Sequence, residues 1–106
     1  MATYKLKFMF DWGSGVCLWS ANQAARIKFN DYPIFASNLP VSNKMKNELE
    51  CLIELHDEAL NWNEPNSDLL WNETQIDEFL KAAQRAYDHL CEELGSDYEI
   101  ELIEGM

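Results

Sequence analysis

Both ends of the chain alternate between apolar and polar residues, and the polar positions at the two ends carry opposite charges. Residues 4–12 place an apolar side chain at every second position, and residues 98–102 do the same. Alternation with a period of two is typical of strands with one buried face. The charged residues between the apolar positions are Lys5, Lys7 and Asp11 in the first segment and Glu99 and Glu101 in the last. Opposite charges on facing strands contribute about 0.2–1 kcal/mol per pair, so we expect the two terminal strands to pair.

Two segments between these strands have helical periodicity. Ser42 can cap a helix over residues 43–61. Its apolar face consists of Met45, Leu49, Leu52, Ile53, His56 and Leu60. Asn72 and Gln75 have the spacing of a capping box, which predicts a second helix that ends at Gly95 in a left-handed conformation. Its inner face consists of Ile76, Phe79, Leu80, Ala83, Tyr87, Leu90 and Leu94.

The segment between the first strand and the first long helix is less regular. The residues Gly13-Ser14-Gly15 predict a turn, after which residues 16–19 can return as a short strand. Ser20 followed by Gln23 has capping-box spacing and predicts a short helix over residues 21–29. Residues 30–41 contain two prolines, and we expect them to be extended or looped. The sequence therefore predicts an α+β fold, with residues 1–106 as a single domain. The paired terminal strands form a small antiparallel or mixed sheet packed on a helical hairpin.

Charge is divided unevenly along the chain. Residues 1–46 hold six lysines and arginines against two aspartates, a net charge of +4. Residues 47–106 hold seventeen acidic residues against two basic ones, a net charge of −15. Such a field repels nucleic acid and anionic membranes and attracts basic proteins. Because the N-terminus lacks the apolar core of a signal peptide and no apolar run approaches the ~20 residues of a membrane span, we expect a cytoplasmic protein.

One face of the 43–61 helix carries an acidic stripe, defined by Glu50, Glu54, Asp57 and Glu58. At about 100° per residue, these four positions fall within an arc of about 100° opposite the apolar face. The three glutamates form two like-charged i,i+4 pairs, each destabilising by about 0.2–0.5 kcal/mol. Asp57 and Glu58 also lie near the negative end of the helix dipole. Residues that violate several local preferences for helix stability at once are typical of functional surfaces. A partner-binding face is therefore favoured over a merely solvated one.

The candidate catalytic groups lack partners. His56 lies in the middle of the apolar face, so we expect a hydrogen-bonded core histidine. His89 lies on the polar side of the second helix, and the sequence places no nucleophile near it. Carboxylates are too abundant for any pair to indicate a glycosidase. We therefore predict a protein that is not an enzyme and needs no cofactor.

Metal-binding and redox patterns are also weak. The loop over residues 61–72 is rich in oxygen ligands, but Pro65 occupies a ligand position and Asn72 replaces the bidentate glutamate of an EF-hand. The three cysteines are far apart and never in a Cys-x-x-Cys spacing, which favours reduced and mostly buried thiols over a disulfide or a zinc site. Four tryptophans can either pack the core or line a ligand pocket: Trp12, Trp19, Trp62 and Trp71.

The size, the strong negative charge and the acidic stripe together resemble those of small bacterial immunity proteins, which neutralise polymorphic or contact-dependent toxins. They also resemble protein inhibitors of basic nucleases. The resemblance implies a non-enzymatic inhibitor whose partner is a basic toxin, with a nuclease as the favoured target. It implies no direct contact with nucleic acid or with a membrane.

These observations favour toxin neutralisation through the residues Glu50, Glu54, Asp57, Glu58 and Trp62, with Trp62 as an aromatic anchor. One alternative is a nucleic-acid mimic or sequestering regulator of a DNA-binding protein, which needs carboxylates spread along an elongated surface. Another is a small-ligand enzyme or binding module built around His56, Cys51 and the tryptophans.

Overall fold

The computed structural model describes residues 2–103 and has an α+β architecture with a four-stranded sheet. The strands are β1 (Tyr4–Phe8), β2 (Leu18–Ser20), β3 (Pro33–Ile34) and β4 (Tyr98–Leu102), and the helices are α1 (Gln23–Phe29), α2 (Asn43–Glu58) and α3 (Glu73–Leu94). Short 3-10 turns occupy Ala36–Asn38 and Gly95–Asp97. None of the helices in this part of the chain is both long and apolar enough to cross a membrane.

The two terminal strands pair as expected. In the sheet order β3-β2-β1-β4, β1 pairs with β2 antiparallel and with β4 parallel, so the sheet is mixed. The register places Lys5 opposite Glu99 and Lys7 opposite Glu101. The Lys5 Nζ and Glu99 Oε2 atoms are 3.6 Å apart, which is the cross-strand attraction that the charges predict.

The two long helices form an antiparallel hairpin. Ser42 accepts a hydrogen bond from the Met45 backbone N–H, and the Glu93 carboxylate near the end of α3 accepts from the Ser42 N–H at 2.7 Å and from its hydroxyl at 2.9 Å. These contacts join the start of α2 to the end of α3. The opposite end of the hairpin begins at Asn72, where both halves of the predicted capping box are present.

The core lies between the sheet and the two helices. The sheet contributes buried residues from β1 and β2, among them Leu6, Phe8 and Leu18. The buried face of α2 agrees with its predicted apolar face except at Leu60, which lies beyond the end of the helix at Glu58. On α3 the buried residues are Phe79, Ala83, Ala86 and Leu90, whereas Leu80 remains 38% exposed. The small side chain of Ala86 allows close packing. Because alanine is a weak indicator of burial, the sequence did not predict that Ala86 is buried.

Three local predictions were wrong. Ser20 does not cap α1, because it belongs to β2 and its hydroxyl donates to the Asp31 carbonyl at 2.8 Å, while Asn22 provides the cap by accepting from the Ala25 N–H. Gly95 has a positive φ of 75° but a ψ of −163°, and it leads into a 3-10 turn instead of a left-handed terminus. The cysteines were expected to be mostly buried, but Cys51 is exposed on α2. Cys17 is buried, and all three thiols are free.

Candidate functional site

The acidic stripe lies on the solvent side of α2. The Ser42 cap starts this helix, and Met45, Leu49, Leu52, Ile53 and His56 hold its opposite face in the core. Because the helix is fixed from that side, its remaining positions are directed to solvent by the 3.6-residue repeat. Glu50, Glu54 and Glu58 are exposed, and Asp57 at the edge of the stripe is partly buried.

The stripe carboxylates have no basic neighbour that neutralises them. Within residues 2–103, no lysine, arginine or histidine nitrogen lies within 4.0 Å of a carboxylate oxygen in the stripe. Lys46 precedes Glu50 by one helical turn, a spacing that allows an ion pair, but no such pair forms. Two basic residues of the first half of the chain make contacts elsewhere: Lys5 pairs with Glu99, and Lys28 Nζ lies 5.2 Å from the centre of the Tyr4 ring. The like-charge repulsion along the stripe is therefore not relieved locally.

Asp57 differs from the other three residues because its carboxylate takes part in the fold. The Gly13 backbone N–H donates to Asp57 Oδ1 at 3.0 Å, which connects the turn between β1 and β2 to the end of α2. Gly13 has a φ of 80°, a conformation that a residue with a side chain rarely adopts. The glycine in the predicted turn therefore places its N–H against the carboxylate at the edge of the stripe.

Two indoles cap the carbonyl end of α2. Trp12 Nε1 donates to the His56 carbonyl at 2.6 Å, and Trp62 Nε1 donates to the Asp57 carbonyl at 2.8 Å. The same two carbonyls also accept from the backbone N–H groups of Ala59 and Leu60, at 3.1 and 3.4 Å, so the indoles add a second donor to each at the helix end. We refer to Trp12, Gly13 and Trp62 as the indole clamp.

Trp62 is exposed and yet held in place. Its side chain is 54% exposed, and its ring lies close to the turn, with Cη2 3.5 Å from the position that a Gly13 Cβ would take. An indole fixed by a hydrogen bond loses little conformational freedom when a partner binds, which is the property of an interface anchor. The structure thus places Trp62 directly beside the acidic stripe.

His56 is buried as predicted, but one of its two ring nitrogens lacks a hydrogen-bond partner in the described part of the chain. Its Nε2 has no hydrogen-bond partner within residues 2–103. The ring stacks on Trp12 at 4.4 Å and 15°, and Phe10 and Phe79 contact it from other sides. Burial lowers the pKa of His56, against the opposing attraction of Asp57 and Asp11. A neutral imidazole enclosed by aromatic rings contributes packing, and its pairing with Trp12 supports the indole clamp.

The other candidate groups are dispersed. His89 Nδ1 lies 3.2 Å from both carboxylate oxygens of Glu48, so this histidine joins α3 to α2 at the surface. Burial raises the pKa of the Cys17 thiol to about 12, which makes it a poor nucleophile. Residues 2–103 contain no group of three or more histidine, cysteine or carboxylate side chains that could hold a metal ion. Trp19 is buried, whereas Trp71 is partly buried and packs on Phe79 with ring centres 5.4 Å apart.

The sequence did not identify one feature of this surface. Leu55 lies between the stripe and the apolar face of α2 and is 43% exposed, and it lines a groove between α2 and α3 together with Trp71. The position of this leucine at the boundary of an acidic face was the one sequence feature that could have indicated the groove. For Trp71 the sequence left core packing and a ligand pocket open, because nothing in the sequence shows which part of α2 it approaches.

A family model described as Serratia CdiI immunity protein-like matches residues 4–105 of the chain. The match begins with the first residue of β1 and extends beyond β4, so it includes the sheet, the helical hairpin and the acidic stripe. No curated protein matches the chain. The chain belongs to the Serratia CdiI immunity protein-like family, and the resemblance to immunity proteins of contact-dependent inhibition systems is confirmed.

Proposed function

We propose that this immunity protein neutralises a basic toxin, most simply a nuclease, by binding it through the acidic stripe and Trp62. The partner-binding residues in this proposal are Glu50, Glu54, Asp57, Glu58 and Trp62. The protein acts by stoichiometric binding and not by catalysis. We further propose that it acts in the cytoplasm, where a nuclease would otherwise reach its substrate.

The observation that supports this proposal most strongly is the row of unpaired glutamates on α2. Each of the two like-charged i,i+4 pairs costs the free protein about 0.2–0.5 kcal/mol, and no ion pair within residues 2–103 offsets it. A basic surface placed against Glu50, Glu54 and Glu58 would convert this repulsion into attraction. The stripe therefore gains more from a cationic partner than an evenly mixed surface would.

The overall charge supports rapid association with such a partner. The formal net charge is −11, and the second half of the chain carries most of the negative charge. Complementary fields raise association rates toward about 10⁸–10⁹ M⁻¹s⁻¹ at low salt. Rapid capture suits a protein that has to neutralise a toxin before the toxin acts.

A nuclease is favoured as the target because its substrate groove has to be basic. A groove that binds phosphates presents lysine and arginine side chains, which the stripe can contact in place of the nucleic acid. The exposed indole of Trp62 can enter an apolar part of the same surface, since aromatic residues dominate the binding energy of many interfaces.

The proposal is tested with two variants that change the net charge equally. The first replaces Glu50, Glu54 and Glu58 with glutamine, and the control replaces Glu73, Glu92 and Glu101. The immobilised protein first captures its toxin from a lysate of the native host, and mass spectrometry identifies the toxin. The recombinant toxic domain is then mixed with each variant in a stopped-flow instrument, and growth of cells that produce the toxin is measured alongside.

We expect the stripe variant to associate at least tenfold more slowly at low salt and to lose most of its salt dependence, because steering depends on charges near the contact. The control should change the association rate less than threefold. Equal rates for the two variants would disprove binding through the stripe. A partner that binds DNA without hydrolytic activity would instead support the sequestering regulator.

A further inference from the structure

A groove runs between α2 and α3 next to the acidic stripe. It has a volume of about 340 Å³ and is lined by Leu55, Glu58, Trp71, Gln75, Glu78, Phe79 and Ala82. Glu58 belongs to both the stripe and the groove, so the two surfaces are continuous. Among the lining residues, Leu55, Trp71, Phe79 and Ala82 are apolar, and Glu58 and Glu78 carry the charge.

The apolar part of the groove is well ordered by local contacts. The Trp71 and Phe79 rings lie 5.4 Å apart at 51°, and Phe79 is held in the core. The adjacent capping box fixes the backbone next to Trp71, because Gln75 N–H donates to Asn72 Oδ1 at 2.8 Å and Asn72 N–H donates to Gln75 Oε1 at 2.9 Å. A partly exposed indole is therefore presented from a fixed position.

The two carboxylates of the groove come from different helices and are both free of ion pairs. Within residues 2–103, no basic nitrogen lies within 4.0 Å of the Glu58 or Glu78 carboxylate. The nearest lysine along α3, Lys81, pairs with Asp77 at 2.9 Å. The groove thus combines an aromatic surface with two carboxylates that make no close ion pair within residues 2–103.

We propose that this groove receives one arginine side chain of the toxin, held by Glu58 and Glu78 and stacked on Trp71. This inference rests on the proposed function, because it assumes a protein partner with a basic face. Arginine fits better than lysine for two reasons. Its planar guanidinium stacks on aromatic rings and is weakly hydrated, whereas the lysine ammonium is a compact and strongly hydrated charge. Its several N–H donors can also reach two separate carboxylates, while its methylene groups contact Leu55.

A second pocket on the other side of α3 provides a contrast. It has about 360 Å³ and is lined by Phe8, Phe10, Phe79, Leu80, Ala83, Gln84, Leu102 and Ile103. It contains no charged residue, so nothing in its chemistry selects a particular occupant. The α2–α3 groove, in contrast, combines an apolar surface with two carboxylates.

The position of the groove also assigns different kinetic roles to two parts of the surface. Exposed charges around an interface mainly set the association rate, whereas desolvated anchors mainly set the dissociation rate. Glu50 and Glu54 lie outside the groove and belong to the first class. Glu78 and Trp71 lie in the groove and belong to the second. The two classes can therefore be separated by kinetics.

The direct test uses three blocked tripeptides, glycine-X-glycine, in which X is arginine, lysine or citrulline. Citrulline has nearly the shape of arginine but no charge. Each peptide is titrated into ¹⁵N-labelled protein at low salt, and the indole N–H signals are followed by NMR, with Trp71→Phe used to assign the Trp71 signal. We expect the arginine peptide to bind weakly and to shift the Trp71 signal. Lysine should bind at least threefold more weakly, and citrulline should not bind measurably.

Variants of the groove define where the peptide binds. Loss of both carboxylates, in Glu58→Gln with Glu78→Gln, should weaken the arginine peptide about fivefold to tenfold, since each exposed ion pair contributes a few-fold. The matched control, Glu73→Gln with Glu92→Gln, should change its affinity less than twofold. Equal binding of the arginine and citrulline peptides, or shifts that leave Trp71 unaffected, would overturn the proposal.

The isolated toxic domain separates failure of the groove from failure of the proposed function. Here Glu78→Gln should raise the dissociation rate about threefold or more and leave the association rate nearly unchanged. If Glu78→Gln has no effect while the stripe variant still slows association, the groove proposal is wrong and the proposed function stands. If neither variant affects the toxin, the proposed function fails, and with it the role of the groove in toxin binding.

Discussion

Replacement of Glu54 by glutamine should make the free protein more stable and its capture of the toxin slower. Glu54 is the central residue of the stripe and takes part in both like-charged pairs, with Glu50 and with Glu58. Glutamine and glutamate have nearly equal helix propensities, so the change removes repulsion and little else. At about 0.2–0.5 kcal/mol per pair, the expected gain in the free energy of unfolding is about 0.4–1 kcal/mol. For a chain of this size, this corresponds to a rise in Tm of about 2–6 °C.

A matched variant with the opposite expectation controls for net charge. Glu99→Gln removes the same single charge, but it also removes the cross-strand ion pair between Glu99 and Lys5, whose atoms lie 3.6 Å apart. We expect this variant to lose a few tenths of a kcal/mol, which is typical of an exposed pair. Thermal unfolding followed by circular dichroism, at low and at high salt, compares the two variants. Salt should reduce both effects, because both are exposed electrostatic interactions.

The association rate distinguishes binding from mere solubility. If the stripe only keeps the protein soluble, Glu54→Gln raises stability and leaves toxin binding unchanged. If the stripe binds the toxin, the same substitution slows association at low salt by about twofold to fivefold, whereas Glu99→Gln does not. A Glu54→Gln protein that is no more stable than the parent would refute the reasoning about like-charge pairs. Unchanged association for this stabilised variant would refute its role in binding.

Three further predictions concern the end of α2. Burial lowers the pKa of His56 below its ordinary 6.5, so the unfolded state binds the proton first as the pH falls. The free energy of unfolding should therefore be highest above pH 6.5 and should fall as the pH drops through 6.5 toward the folded-state pKa. Urea titrations at several pH values should show that His56→Leu loses this pH-dependent component. Gly13→Ala should lose about 1 kcal/mol or more in thermal unfolding, since alanine is strained at a φ of 80°. Trp62→Ala should raise the toxin dissociation rate at least tenfold while Trp62→Phe recovers part of the loss, and equal rates for both would exclude Trp62 as an anchor.

The sequence predicted those parts of the fold that depend on neighbouring residues or on simple charge pairing. The Ser42 cap and the Asn72 capping box were identified correctly because each involves only a few consecutive residues. The pairing of the terminal strands was predicted from Lys5 and Glu99. The two strands carry opposite charges on their polar faces, and pairing brings each charge next to one of the opposite sign. The parallel direction of that pair was not predicted, because both directions can place opposite charges face to face.

The errors arose where a tertiary contact competed with a local signal. Ser20 had the spacing of a cap, but its N–H donates to the Tyr32 carbonyl at 2.7 Å and its hydroxyl to the Asp31 carbonyl, so the sheet edge uses both groups. Asn22 then provides the cap two residues later. Among the residues that the structure describes, His56 Nε2 finds no hydrogen-bond partner for a similar reason. The rings of Phe10, Trp12 and Phe79 occupy the space in which a polar partner would lie.

The candidate site was only partly visible in the sequence. The stripe could be identified because i,i+4 spacing within one helix needs no tertiary information. The groove could not, because Leu55 and Trp71 lie on different elements, and the sequence does not show how far α2 and α3 approach each other. The hydrogen bonds from Trp12 to His56 and from Gly13 to Asp57 each join residues 44 positions apart, so no local pattern could indicate them.

The indole clamp explains how α2 tolerates an unfavourable surface. Acidic residues near the carbonyl end of a helix destabilise it, and Asp57 and Glu58 occupy that end. There the indoles of Trp12 and Trp62 donate to two of the terminal carbonyls, and the Gly13 N–H donates to the Asp57 carboxylate. These donors offset the electrostatic cost at the position where it is largest. The end of α2 is therefore stabilised by contacts that do not involve the stripe glutamates, so the helix can carry their repulsion.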